Sequence, residues 1–282
     1  MIWKCRDHNL DLSAEGRVMG ILNTTPDSFS DGGEFLDVDR AVAQGIRMMD
    51  EGATIIDIGG ESTRPGAQPV NAADELARVL PVIDRLTPVA EERGVLISID
   101  TMKAEVARQA CKHGAQIIND VSGFLGDPDI ATIAAEFGAG VCIMHMKGEP
   151  RTMQTNPVYD DVVVGVTEFF ERQLDFAISA GIEPEQVVFD PGIGFGKSLE
   201  HNLQLLAAVA QLSIADRPVL IGVSRKSMFG KLLNAEVDER LPPTIAVTAL
   251  TRLAGAPLHR VHDVAPNLAA LKTAEALLAH KQ

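Results

Sequence analysis

Residues 94–114 read GVLISIDTMKAEVARQACKHG. Val95–Asp100 is a short run rich in Val, Leu and Ile that stops at a carboxylate, and residues 103–114 carry apolar positions at helical spacing and end on a glycine. This is the pattern of a strand buried on both faces that hands over to an amphipathic helix. The same unit recurs at Val18–Asn23, Thr54–Asp57, Gln116–Asn119, Gly140–His145, Val187–Asp190, Val219–Ser224 and Leu258–His262. About eight βα units in one chain predict an α/β fold of the closed (β/α)8 kind, a TIM barrel, whose usual length is about 250 residues. The C-terminal strand ends of such a barrel share one mouth, so the polar residues that end these runs would line a single pocket.

Outward from the strands, 3.6-residue periodicity predicts helices near 38–52, 72–93, 103–114, 129–138, 162–181, 199–213, 243–255 and 266–280, with a helical segment around 227–234. Gly52, Gly94, Gly114, Gly138 and Gly181 fall where a helix must stop before the next strand. Residues 2–17 read as a short hairpin or plug ahead of the barrel. No Pro/Gly/Ser-rich or charged tract interrupts the periodicity, so residues 1–282 are expected to form one domain. The stretches 23–33 and 59–67 are long polar loops after the first two strands, suited to act as lids or clamps on the catalytic face; the alternative is a plain surface connection.

With 46% hydrophobic residues the chain can bury a large core, yet no run approaches the ~18 consecutive apolar residues of a membrane span. The charged N-terminus lacks the apolar stretch of a secretory signal. Cys5, Cys111 and Cys142 are odd in number and scattered, which argues against a disulfide framework or a zinc cage and points to a reducing cytoplasm. A formal charge of −14 counts against a nucleic acid partner. Nevertheless Arg64, Arg225, Lys226, Arg260 and His262 all lie at or just after strand ends, a gathering of cations suited to an anionic small molecule.

Residues two apart on a strand share a face, so Arg260 and His262 point the same way, where Arg grips phosphate in a bidentate fashion and His adds a bond. His259 faces oppositely and reads as a packing residue. Asp190 opens DPGIGFGK, in which three glycines let backbone approach a flat ligand and Phe195 offers a stacking surface. A carboxylate there would accept a pair of N–H bonds from an amidine-like edge, as a pterin or guanine presents. Asp57, Asp100 and Asn119 add acceptors at three further strand ends, or else cap the helices that follow. Met144 packs on a bound ring or simply in the core. Ser224–Ser227 follows the seventh strand, where this fold commonly holds phosphate; Lys226 could instead reach a heterocycle carbonyl. Asn23 is a neutral oxygen ligand of the kind Mg²⁺ accepts alongside substrate phosphates.

The ordered segments Met19–Gly33, Gly59–Gly66, Ser98–Thr101, Ile118–Gly123, Met144–Gly148 with Thr152–Gln154, Asp190–Lys197, Ser224–Ser227 and Arg260–Val264 resemble those of the dihydropteroate synthase family, folate-pathway enzymes inhibited by sulfonamides. The resemblance implies condensation of 6-hydroxymethyl-7,8-dihydropterin diphosphate with p-aminobenzoate, giving 7,8-dihydropteroate and diphosphate by an SN1-like path. It implies a pterin site of Asp100, Asn119, Asp190, Gly222 and Lys226, with Met144 and Phe195 against the ring faces, and Asp100, Asp190 and Lys226 as the catalytic set. It places the diphosphate on Asn23, Thr63, Arg64, Arg260 and His262, with Mg²⁺ as cofactor at Asn23. Phe29, Ser62, Thr63, Pro65 and Ser227 would form the p-aminobenzoate site. It also implies a cytoplasmic homodimer with small-molecule substrates and neither nucleic acid nor membrane as partner. Pro242-Pro243 departs from many relatives, which carry Gly and Ser there. A rigid helix start and altered dimer geometry are the expected consequences. Two other readings share the acceptor set: a pterin-binding methyltransferase domain, which has no diphosphate to hold, and a pterin-binding paralogue without catalysis.

Overall fold

A computed structural model of the chain describes residues 1–25, 34–62, 67–148, 153–155 and 157–280. An antiparallel hairpin, β1 (Ile2–Cys5) and β2 (His8–Asp11), comes first. Eight parallel strands follow: β3 (Arg17–Asn23), β4 (Ile55–Gly59), β5 (Leu96–Asp100), β6 (Ile117–Asp120), β7 (Gly140–Met144), β8 (Val187–Asp190), β9 (Leu220–Ile221) and β10 (Leu258–Val261). They pair in the order β8-β7-β6-β5-β4-β3-β10-β9, and a parallel bridge from Phe189 to Val219 closes the ring. Helices α1 (Glu34–Asp50), α2 (Ala72–Arg93), α3 (Ala104–Lys112), α4 (Asp129–Phe137), α5 (Val162–Ser179), α6 (Leu199–Ala207), α7 (Ser227–Leu233), α8 (Leu241–Leu253) and α9 (Val264–Leu278) fill the connections. The expected (β/α)8 barrel with an N-terminal hairpin is what the chain forms.

Strand alternation sorts the side chains. Outward residues such as Leu22, Ile56, Ile58, Ile97, Ile99, Val141 and Ile143 join the helices in one core. Inward residues at the strand starts, among them Met19, Ile55, Leu96, Ile117, Cys142, Val188, Leu220 and Leu258, form a second apolar layer, which Trp3, Cys5 and Leu12 of the hairpin segment close from below. Most inward positions near the strand ends, among them Asp57, Asp100, Asn119, Asp190 and Arg260, are instead polar, so the barrel is greasy at the bottom and wettable at the top.

Two boundaries differ from expectation for local reasons. β9 stops at Ile221 because the Lys226 N–H donates to the Val223 carbonyl at 3.1 Å, folding residues 223–226 into a turn. α6 ends at Ala207, and its continuation is one tight 3₁₀ turn, Val209–Gln211, a common way for a helix C-terminus to close. α8 starts at Leu241 with both prolines in its first turn, where their missing N–H groups would have had no helical partner.

Candidate active site

The last inward positions of the strands converge on one mouth. Arg260, on β10, donates from Nε to Asp57 Oδ2 and from Nη2 to Asp100 Oδ2, both at 2.6 Å. Asn119 Nδ2 donates to the same Asp57 oxygen at 3.0 Å. Three neighbouring strands, β4 to β6, are thus tied to β10 across the barrel. Asp57 is the hub of this cluster, although its sequence marked it only as one acceptor among three. The signal was its parity with Ser98 and Asp100 on the inward face. Its second oxygen, Oδ1, and Ser98 Oγ, its cross-strand partner, are buried without a hydrogen-bond partner among the described residues.

Opposite lies the Gly-rich turn after β8. Asp190 Oδ1 accepts the Gly192 N–H at 2.7 Å, and Lys226 Nζ donates to the Ile193 carbonyl while lying 4.7 Å from the centre of the Phe195 ring. Gly222 is the open point between the two halves. A Cβ there would sit 3.5 Å from Asp190 Oδ2 and 3.9 Å from both Lys226 Nζ and Arg260 Cβ. Met144 is buried beside this turn, its Cγ 3.3 Å from where a Gly192 Cβ would be.

The charges here are tuned by burial and by each other. Burial pushes the Asp100 carboxyl up to about 7, Arg260 pulling the other way and the Asp57 charge adding to the rise. Burial likewise raises Asp190, opposed by Lys226 and the Gly192 N–H. Lys226 falls to about 8 through burial, with Asp190 resisting. Arg260 is raised despite burial, because two carboxylates hold it charged.

Two lysines that sequence reasoning did not single out anchor loops of the mouth. Lys197 is fully buried, and its ammonium reaches the carbonyls of Gly192 and Phe195 at 3.0 Å, the His145 carbonyl at 3.2 Å and His145 Nδ1 at 2.9 Å. It pins the turn after β8 to the chain leaving β7. Burial, with Lys197 beside it, drives His145 down to about 2, so this imidazole is a neutral acceptor. A second anchor, Lys103, bridges Glu61 and the buried Glu75 and so fixes the root of the loop after β4.

The remaining expected residues divide. Asn23 ends β3 opposite Gly59, at the rim, half-buried. Ser62 is half-buried in the loop after β4, and Ser227 is exposed at the start of α7. His262 lies one residue past β10 and contacts the Ser224 hydroxyl. Arg225, read as a mouth cation, is engaged in an ion pair beside His262. Its φ of 56° turns the side chain onto Asp263, which takes both Nε and Nη2, at 3.0 and 2.6 Å. Phe29, Thr63, Arg64 and Pro65 lie outside the described residues, as does Thr152.

The described residues contain no group of three or more His, Cys, Asp or Glu side chains able to cage a metal. Asn23 supplies a single neutral oxygen. That donor set suits a Mg²⁺ that arrives on a substrate's phosphates and takes one protein ligand. The arrangement as a whole offers acceptors and one ammonium to a flat polar heterocycle, with Arg260 on β10 and His262 just past it where an anionic tail would meet them.

Comparison with known proteins agrees with this chemistry. The family described as pterin binding enzyme matches residues 19–262. The chain is 48% identical to the dihydropteroate synthase of Escherichia coli (strain K12) over 97% of its own length and 95% of that protein's. It is similar to the solved Xanthomonas albilineans dihydropteroate synthase with 4-aminobenzoic acid, with a TM-score of 0.91 and 43% identity covering all of both chains. It is equally similar to the Yersinia pestis dihydropteroate synthase in a sulfonamide drug complex, with a TM-score of 0.91 and 43% identity over 99% of this chain and 100% of that one.

Proposed function

The chain belongs to the pterin-binding enzyme family, and on that premise we propose how its residues share the work of a dihydropteroate synthase. It is a transferase of folate biosynthesis that joins p-aminobenzoate to a dihydropterin methylene and releases diphosphate. The observation that carries the division of labour is the meeting of Asp57, Asp100, Asn119, Asp190, Lys226 and Arg260 at one barrel mouth.

In this reading the Asp190 carboxylate accepts the paired N–H edge of the pterin, the Asn119 side-chain oxygen takes a further N–H, and Lys226 donates to the ring carbonyl. Met144 and Phe195 bound the ring faces. Arg260 keeps donors beyond the two that Asp57 and Asp100 take, and with Asn23, Thr63, Arg64 and His262 it holds the diphosphate. When the C–O bond to diphosphate breaks, the electron-rich ring carries the methylene cation, and the Asp100 charge favours it. The p-aminobenzoate nitrogen then attacks, and its proton leaves with the released diphosphate. Its ring and carboxylate are held by Phe29, Ser62, Thr63, Pro65 and Ser227, so positioning and exclusion of water do most of the work. The chemistry a Mg²⁺ at Asn23 supplies is neutralisation of charge on the departing diphosphate.

We place the enzyme in the cytoplasm as a homodimer. Support for the compartment is that all three cysteines are buried free thiols. Support for the dimer is that Leu250 on α8 and Leu277 on α9 are exposed. Among the described residues no helix is long and apolar enough to cross a membrane.

The test is a product assay with both substrates, run with Mg²⁺ and after chelation. Dihydropteroate formation that falls on chelation is expected. Binding of the pterin diphosphate with no product formed would overturn the assignment.

A further inference from the structure

Ser224 is absent from the site as the family resemblance describes it, yet it sits where it can control one of the rim groups. β9 and β10 pair Leu220 with Leu258 and Ile221 with His259. Carried on in phase, that register brings Ser224 opposite His262, both on the inward face. The Ser224 hydroxyl oxygen accepts the His262 backbone N–H at 3.1 Å and lies 3.0 Å from His262 Nδ1. It is 6% exposed, so its own proton must find a protein acceptor. The structure gives this hydroxyl no other partner among the described residues. If Nδ1 carried a proton, Ser224 would receive two hydrogen bonds and bury its own proton unpaired.

The frame around this contact is stiff. Arg225, next in sequence, adopts a left-handed conformation, is locked by Asp263 through two bonds, donates its N–H to Thr244 Oγ1 at 3.3 Å and accepts from Arg240 Nη1 at 3.3 Å. Ser224 and His262 therefore each adjoin one member of the same ion pair.

We propose that Ser224 is a positioning residue for the leaving group: by donating to Nδ1 it holds the neutral His262 imidazole as the Nε2–H tautomer, with that N–H turned to the diphosphate. A histidine so fixed donates a hydrogen bond to phosphate even when uncharged. This inference rests on the synthase reading above and on His262 meeting the diphosphate.

The direct measurement is made on the wild-type protein. In ¹⁵N-histidine-labelled full-length protein at a pH where the ring is neutral, long-range proton–nitrogen correlation, with His262 assigned through His262→Gln, should show Nδ1 unprotonated and Nε2 protonated. A protonated Nδ1 would overturn the proposal. In Ser224→Ala the KM for the pterin diphosphate should rise roughly tenfold, the equivalent of one ordinary hydrogen bond. The Kd for 6-hydroxymethyl-7,8-dihydropterin, which has no diphosphate, should stay unchanged, and Ser224→Thr should recover the diphosphate KM. Equal KM values in wild type and Ser224→Ala, or a parallel loss for the alcohol, would refute the role. Absence of dihydropteroate from the wild-type protein would instead remove the functional reading itself, so the two failures are separable.

Discussion

At the scale of single residues, the mouth holds an acid and a base whose burial brings their titrations close together. Asp100 favours the cation only when ionised, so kcat/KM should rise as pH climbs through about 7. Lys226 donates to the ring only when protonated, so the same quantity should fall as pH passes about 8. A pH–rate profile should therefore show a narrow maximum between these values, and Asp100→Asn should remove the acid limb while keeping the alkaline one. A profile flat across that interval would mean that neither group titrates in the free enzyme as described. Asp190→Asn gives a second check. A bond to a charged acceptor is worth about 1.5–3 kcal/mol, so calorimetry should show the pterin Kd raised roughly 10- to 150-fold; an unchanged Kd would remove the ring from Asp190. Legibility at this scale was uneven. Asp100, Asn119 and Asp190 announce themselves by ending apolar runs, and Arg260 by sharing a strand face with His262. Lys197 does not, because a buried ammonium is indistinguishable in sequence from a solvated one until the loop carbonyls around it are known.

At the scale of elements, the turn after β8 and the chain leaving β7 behave as one unit, and glycine is what lets them touch. Gly192 has φ of +64°, and a Cβ on it would lie 1.9 Å from the His145 carbonyl oxygen, which is backbone and cannot swing aside. Gly94, the C-cap of α2, has nearly the same conformation, φ +66°, but nothing within 4 Å. Urea denaturation should separate the two: Gly94→Ala should cost about 1 kcal/mol, the left-handed penalty alone, and Gly192→Ala roughly 3–5 kcal/mol with loss of pterin binding. Equal costs would show that the two chains slide apart freely. Helix and strand identities were readable throughout from period and glycine stops, and α2 matched at both ends. What escaped were features set by contacts between elements. Isolated sequence cannot show that Asp263 would take two of the guanidinium donors of Arg225, or that a turn at 223–226 would cut β9 short.

At the scale of the molecule, the eightfold recurrence of a strand and helix already implied a ring, and the leading segment read as a hairpin or plug; the end it seals appears only in three dimensions. That end is the greasy one, and the chain's single tryptophan stands in it. Trp3 is fully buried, and its indole N–H donates to the Gln186 carbonyl at 2.8 Å, while Gln186 Nε2 donates to the Ala139 carbonyl at 2.7 Å. Arg6 reaches the carbonyls of Cys111 and Ala115, and its own N–H bonds the Gly138 carbonyl at 2.7 Å. Detaching the hairpin would bare Met19, Ile55, Leu96 and Leu258 to water together with the indole, whose truncation alone costs about 3–5 kcal/mol in a packed core. A barrel that has lost its floor should therefore not persist as an intermediate. Tryptophan fluorescence and far-ultraviolet circular dichroism should report the same urea midpoint, as expected of one cooperative unit spanning the chain. A fluorescence change that precedes the loss of helix would show instead that the plug melts first and that the ring stands without it.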